Sequence, residues 1–124
     1  MGSNPSVTPR EKRGIQALLS ALKPLSDLRG PVPLQLVTTF LTVASNEGTC
    51  AHEYSRVLGL RRAMMSRYVH ELGDRARRGG PGLGLIRFEP DPQWSNRQLI
   101  YLTTKGHAVV AEVFRNLRRA KKVA

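Results

Sequence analysis

Apolar residues recur at helical spacing along most of this chain and at alternate positions in one short region near its middle. Ile15, Leu18, Leu19 and Leu22 form a first stripe that opens at Pro9. Lys23-Pro24 should end it, because the residue before a proline avoids helical backbone. Leu25 to Val32 carries Asp27, Arg29, Gly30 and Pro31 and reads as a linker. Leu34, Val37, Phe40, Leu41 and Ala44 share the face of a second helix, with Pro33 as its first residue and Asn46-Glu47-Gly48 as its stop. A third helix is predicted from Cys50 to Leu58, capped by Thr49, with Tyr54, Val57 and Leu58 inward and Gly59 as the left-handed residue beyond its end. A fourth follows at once, from Arg61 or Arg62 to Leu72. On it Met65, Val69 and Leu72 face a core, and Arg62, Ala63, Ser66, Arg67 and His70 point the other way.

After Leu72 the pattern changes. Gly73 to Gly84 reads GDRARRGGPGLG, a flexible basic loop. Leu85 to Glu89 and Leu99 to Leu102 then alternate as two strands, joined by the proline-bearing tip Pro90 to Arg97, where Trp94 should pack against the hairpin base. Thr103 or Thr104 can cap a last helix with a broad face of Ala108, Val109, Val110, Val113, Phe114 and Leu117. Two short adjoining helices followed by a hairpin make a winged helix-turn-helix. The fold class is therefore mainly α with a small β-hairpin wing (α+β), with flanking N- and C-terminal helices for dimerisation. Residues 1–8 read as a disordered lead and 9–124 as a single domain: 9–32 the N-terminal helix and linker, 33–103 the winged helix-turn-helix, 104–124 the C-terminal helix.

Composition sharpens the reading. Twenty Lys and Arg against nine Asp and Glu give a formal charge of +11 over 124 residues, which favours a polyanionic partner. No apolar run approaches the ~20 residues a bilayer span needs, and no signal-peptide pattern opens the chain, so a cytoplasmic protein without a membrane partner is expected. The single Cys50 cannot close an internal disulfide and reads as a small buried residue. His52, His70 and His107 make no metal-ligand spacing with Cys50, and no catalytic set can be assembled, so neither enzyme nor metal nor cofactor is expected. Seven aromatic residues offer little for a sensing pocket, and a small-molecule effector is not expected either.

The fourth helix carries the candidate chemistry. Arg61 stands where Ser, Thr or Asp would cap it, and arginine at a helix N-terminus opposes the macrodipole. Such a charge makes sense if a phosphate or a guanine edge meets it. Arg61, Arg62, Ala63, Ser66 and Arg67 are the candidates for base contact, and His70, Arg75, Arg77 and Arg78 for phosphate contact. Arg97, Asn96 and Arg87 are the wing residues that would enter a minor groove. Ile15, Leu18, Leu19 and Leu22 on the first helix, with Val110, Val113, Phe114 and Leu117 on the last, are candidates for a dimer interface, since a terminal helix in so small a chain has little of its own domain to cover it. Arg115, Arg118, Arg119, Lys121 and Lys122 crowd the end of the last helix, where they suit its dipole.

Over Leu34 to Phe114 the chain resembles the MarR family of winged-helix regulators. Asp91, Arg97 and Leu102-Thr103-Thr104-Lys105-Gly106 look like the family's Asp, Arg and Leu-Thr-x-x-Gly signature at the wing exit, and Leu58-Gly59-Leu60 with Met65-Ser66-Arg67 resembles its recognition-helix entry. The resemblance implies a homodimer joined by the terminal helices, one recognition helix per subunit in successive major grooves, and each wing arginine in a flanking minor groove. The function expected is sequence-specific binding of double-stranded DNA at a pseudo-palindromic operator, as a transcriptional regulator at the bacterial nucleoid. A nonspecific DNA-architectural protein and a winged-helix RNA or protein interaction module are the alternatives.

Overall fold

The computed structural model describes residues 6–76 and 79–123, with side chains as far as 119. Its elements run α1 (Pro9–Ser26), α2 (Leu34–Ser45), α3 (Ala51–Leu58), α4 (Arg62–Leu72), β1 (Ile86–Pro90), β2 (Gln98–Leu102) and α5 (Thr104–Val123). This is the winged helix-turn-helix order, with one helix before it and one after.

Helix α1 begins in a capping box. Thr8 Oγ1 accepts from the Glu11 N–H at 3.1 Å, and Glu11 Oε1 accepts from the Thr8 N–H at 2.9 Å, with Pro9 opening the helix. Thr8 thus belongs to the helix. The expected stop at Lys23-Pro24 does not occur: the helix continues to Ser26, and Pro24 and Leu25 are buried in its last turn. Pro24 has no N–H to give the Ser20 carbonyl, and Asn116 Nδ2 of α5 supplies that bond at 2.9 Å. Tertiary packing therefore offsets the backbone loss that a proline brings.

Helix α2 turns a slightly different face inward than expected. Leu36, Thr39, Phe40 and Val43 are buried, Val37, Leu41 and Ala44 half-buried, and Leu34 is 72% exposed. Thr39 is wholly enclosed without cost because its hydroxyl donates to the Gln35 carbonyl at 2.7 Å. The Gln35 side chain accepts in turn from the Tyr68 hydroxyl at 2.9 Å, which pins α4 to α2.

The cap of α3 is Cys50, not Thr49. Thr49 pairs instead with Ile100 of β2: the Ile100 N–H donates to the Thr49 carbonyl at 2.9 Å, and the Gly48 N–H to the Ile100 carbonyl at 2.8 Å. These bonds fix the hairpin against the start of α3. Tyr54 is buried as expected, whereas Val57 is 75% exposed. Gly59 takes φ +68°, the left-handed turn that lets α4 leave α3 at once.

Of the glycine-rich stretch expected as a flexible loop, Gly82 to Leu85 folds back on the end of α4. Leu83 and Leu85 are buried, and their N–H groups donate to the Glu71 and Leu72 carbonyls, each at 2.7 Å, satisfying part of the helix C-terminus. In the antiparallel hairpin Ile86 faces Leu102 and Phe88 faces Ile100. Ile86, Ile100 and Leu102 turn into the core with Phe40, Tyr54, Met65 and Leu72. Trp94 is 57% exposed at the tip, not packed, because the tip is closed by local backbone bonds: Asp91 N–H to the Arg97 carbonyl at 2.9 Å and Arg97 N–H to the Trp94 carbonyl at 3.0 Å.

Thr103 leads into α5. Its Oγ1 accepts from the Gly106 N–H at 3.0 Å and donates to the Gly84 carbonyl at 2.6 Å. Gly106 has no room for a side chain, since a Cβ there would stand 2.1 Å from the Leu85 carbonyl oxygen. The Leu-Thr-x-x-Gly pattern is thus the contact between the first turn of α5 and the entry to β1. Helices α1 and α5 pack along each other, and their buried ends, Ala21 to Leu25 and Gly106 to Val109, both point to the core. No helix among the described residues is long and apolar enough to cross a membrane.

Candidate nucleic-acid interface

Met65, Tyr68, Val69 and Leu72 anchor α4 from below, so the direction of its other face is set by core packing. On that face Arg61, Arg62, Ala63, Arg67 and His70 are exposed and Ser66 is half-buried. No side chain caps α4 and no carboxylate lies in its first turn, so Arg61 and Arg62 meet the bare positive end of the helix. A groove of about 1170 Å³ separates this face from the hairpin, with Arg62, Ser66 and His70 on one wall, Asn96 and Arg97 on the other and His52 of α3 beside them.

Arg67 is tethered. Arg67 Nε lies 3.6 Å from Glu71 Oε1, and Arg29 from the α1–α2 connection reaches Glu71 Oε2 at 3.5 Å. One carboxylate thus orients Arg67 along the helix. Because Arg67 is half-exposed, the pair contributes only a few tenths of a kcal/mol to stability and leaves the guanidinium available. His70 Nδ1 lies 2.6 Å from the Ser66 carbonyl, a local contact that turns its ring along the helix surface.

On the hairpin, Asn96 is exposed at the tip. Arg87 pairs with Glu89 and lies over the Tyr101 ring, 4.9 Å from its centroid, on the flank of the strands. Arg97 is half-buried at the base of the tip, where its Nη2 donates to Cys50 Sγ at 3.0 Å. That contact with Cys50 holds the guanidinium firmly in its cationic form, with Asp91 and Glu53 adding to it. For the thiol, burial acts to raise its pKa, but the Glu53 backbone N–H and the Arg97 guanidinium outweigh it and hold Cys50 below the usual thiol range.

Arg75 is exposed at a backbone bridge to Pro81, beyond the C-terminus of α4. Arg77 and Arg78 lie outside the described residues. The remaining sequence candidates sit together elsewhere: Ile15, Leu18 and Leu19 of α1 and Phe114 and Leu117 of α5 are all exposed on the outer part of the helix pair, while Leu22, Val110 and Val113 are half-buried nearer the core. Sequence reasoning missed Glu71, although its i+4 spacing from Arg67 signalled the pair. It also missed Arg29, Gln35 and the Cys50–Arg97 contact, for which the sequence carries no local signal. Among the described residues no group of His, Cys, Asp and Glu is placed to hold a metal ion.

The arrangement has many structural counterparts. A transcriptional regulator from Thermotoga maritima superposes with a TM-score of 0.69 at 19% identity, over 87% of this chain and 69% of that one. A mutant MepR of S. aureus bound to an oligodeoxyribonucleotide gives 0.66 at 17% identity, over 92% and 74%. A mutant MarR from E. coli complexed with operator DNA gives 0.61 at 16% identity, over 87% and 67%. No protein-family description and no curated protein matches the sequence. At these identities the likeness is one of architecture: the chain has the MarR-like winged-helix fold.

Proposed function

We propose that this chain binds double-stranded DNA sequence-specifically as a homodimer and regulates transcription, with α4 in the major groove and the hairpin toward an adjoining minor groove. The observation that carries the reading is the exposed basic face of α4 beside the hairpin, on a fold whose solved examples include complexes with DNA. Arg61, Arg62, Ser66 and Arg67, with Ala63 between them, would meet base edges, and His70, Arg75, Arg77 and Arg78 phosphates. Asn96 would lead at the wing tip with Arg87 on its flank. Arg97 would follow by exchanging Cys50 for DNA. The protein would act in the DNA-bearing cytoplasm and carry no catalytic activity.

The second copy is supported by two stripes. Ile15, Leu18, Leu19 and Leu22 on α1 and Val110, Val113, Phe114 and Leu117 on α5 each follow the i, i+3, i+4, i+7 spacing of one helix face, and five of the eight are exposed. Pairing these faces about a two-fold axis would hide them, and two recognition helices one DNA turn apart would read a pseudo-palindromic operator. The test is Arg62→Ala combined with Arg67→Ala. Preference for a selected site should vanish while low-salt duplex binding persists; retained preference would remove α4 from the reading role.

A further inference from the structure

A second basic surface lies at the far end of the α1/α5 pair. The bond from Asn116 to the Ser20 carbonyl, together with the two core-facing ends, makes the helices antiparallel, so the start of α1 and the end of α5 project together. Arg10, Lys12 and Arg13 are exposed at the start of α1, and Arg115, Arg118 and Arg119 along the outer half of α5, where the Asn116–Ser20 bond sets them level with residues 17–21 of α1. Among the described residues none of the six pairs with a carboxylate, and Arg118 lies over the Phe114 ring at 5.6 Å, which limits its freedom. The neighbouring acids are few. Glu11 is held in the capping box by Thr8, and no Asp or Glu follows Glu112.

Helix geometry sets these cations apart from the apolar stripes. At about 100° per residue, Arg115, Arg118 and Arg119 centre roughly 140° round α5 from Val110, Val113, Phe114 and Leu117, and Arg10 and Arg13 stand opposite the leucines of α1. A partner copy that covers the stripes therefore leaves these five arginines in solvent, whereas Lys12, seven residues before Leu19, shares the leucine face. Like charges at i+3 and i+4 weaken a helix, as does a basic first turn, so the cations of α1 act against the helix that carries them, while those of α5 suit the dipole but repel one another. A membrane surface fits less well, because an interfacial helix needs its apolar face free for lipid.

We propose that the outer end of the α1/α5 pair is a second DNA-binding surface, which holds another duplex by phosphate contact alone and lets the protein bridge two segments. The inference rests on the reading that α4 takes the first duplex. Arg13 is about 20 Å along α1 from Ser26, and the Asn116–Ser20 bond sets Arg118 and Arg119 level with Leu18 and Ala17, more than one physiological Debye length of about 8 Å from that end.

The experiment is capture of a labelled duplex by the full-length protein already bound to an immobilised duplex, at about 50 mM salt, where phosphate contacts alone still bind. Arg115→Gln with Arg118→Gln and Arg119→Gln should lower capture about ten-fold or more, while binding to the immobilised duplex changes less than about three-fold, because phosphate contacts alone hold the second segment. Arg10→Gln with Lys12→Gln and Arg13→Gln should act in the same direction, and circular dichroism of both variants checks that the helices remain. Undiminished capture by both folded variants, no capture by wild type, or binding of phosphatidylserine vesicles in competition with the second duplex would overturn the proposal. Arg62→Ala with Arg67→Ala separates the two readings. If that variant keeps its site preference while the α5 variant loses capture, the role of α4 fails and the outer surface stands.

Discussion

Arg61→Ser should make this protein more stable and a poorer DNA binder at once. Arg61 occupies the cap of α4 with no side-chain bond to the helix, and no acid lies in the first turn. A serine there can accept from a free backbone N–H, which contributes about 1 kcal/mol, and removing a cation from the positive helix end adds about 0.3–1 kcal/mol. A gain of about 1–2 kcal/mol corresponds to a rise of roughly 3–8 °C in Tm for a chain of this size. If Arg61 reads a base edge, its loss costs about 1–3 kcal/mol in binding, or ~5- to 150-fold in Kd. If it contacts phosphate instead, the slope of log affinity against log salt falls by about 0.9. Urea denaturation and anisotropy titrations at several salt concentrations measure both effects on the same sample. A fall in stability would show that Arg61 has a structural role in the turn, and unchanged binding with raised stability would show that it touches no DNA.

Other perturbations test the scaffold and the wing. Gly106→Ala should cost about 1–3 kcal/mol or more by urea denaturation, because its Cβ would meet the Leu85 carbonyl at 2.1 Å; a neutral effect would mean that α5 does not press on the entry to β1. Asn116→Ala should cost about 0.5–1.5 kcal/mol by removing the partner of the Ser20 carbonyl, and an unchanged midpoint would show that water replaces it. Arg97→Ala should raise the pH at which Cys50 is alkylated, since the guanidinium helps hold the thiol low. A depressed folded-state pKa contributes stability above the pKa of the unfolded thiol and loses it as pH falls through the folded value. The stability cost of losing this linkage should therefore appear on the alkaline side; an unmoved alkylation profile would show that the Cys50–Arg97 contact is absent in solution.

What was legible in the sequence was whatever a local pattern encodes. Gly59 between two amphipathic segments, the alternating Leu85 to Glu89 and Leu99 to Leu102 stretches, and Met65, Val69 and Leu72 at helical spacing fixed the element order and the outward face of α4. The errors came where distant groups decide. Pro24 remains helical because Asn116, ninety-two positions later in the chain, relieves the carbonyl it leaves unpaired. Thr49 leaves the cap of α3 because Ile100 claims its backbone, and Thr39 enters the core in place of Leu34 because Gln35 satisfies its hydroxyl. Leu83 and Leu85 are held by the α4 carbonyls that they satisfy, a demand no window of their own sequence displays. The tethering of Arg97 by Cys50 depends on the hairpin folding across α3, so spacing alone placed that arginine at the wing but not its guanidinium.

The most direct test of a dimeric, sequence-reading regulator is selection of bound duplexes from a random pool near physiological salt, where nonspecific affinity is already weak. The account predicts enrichment of a two-fold-related motif with half-sites about one helical turn apart. Recovery of duplexes with no enriched motif would contradict it.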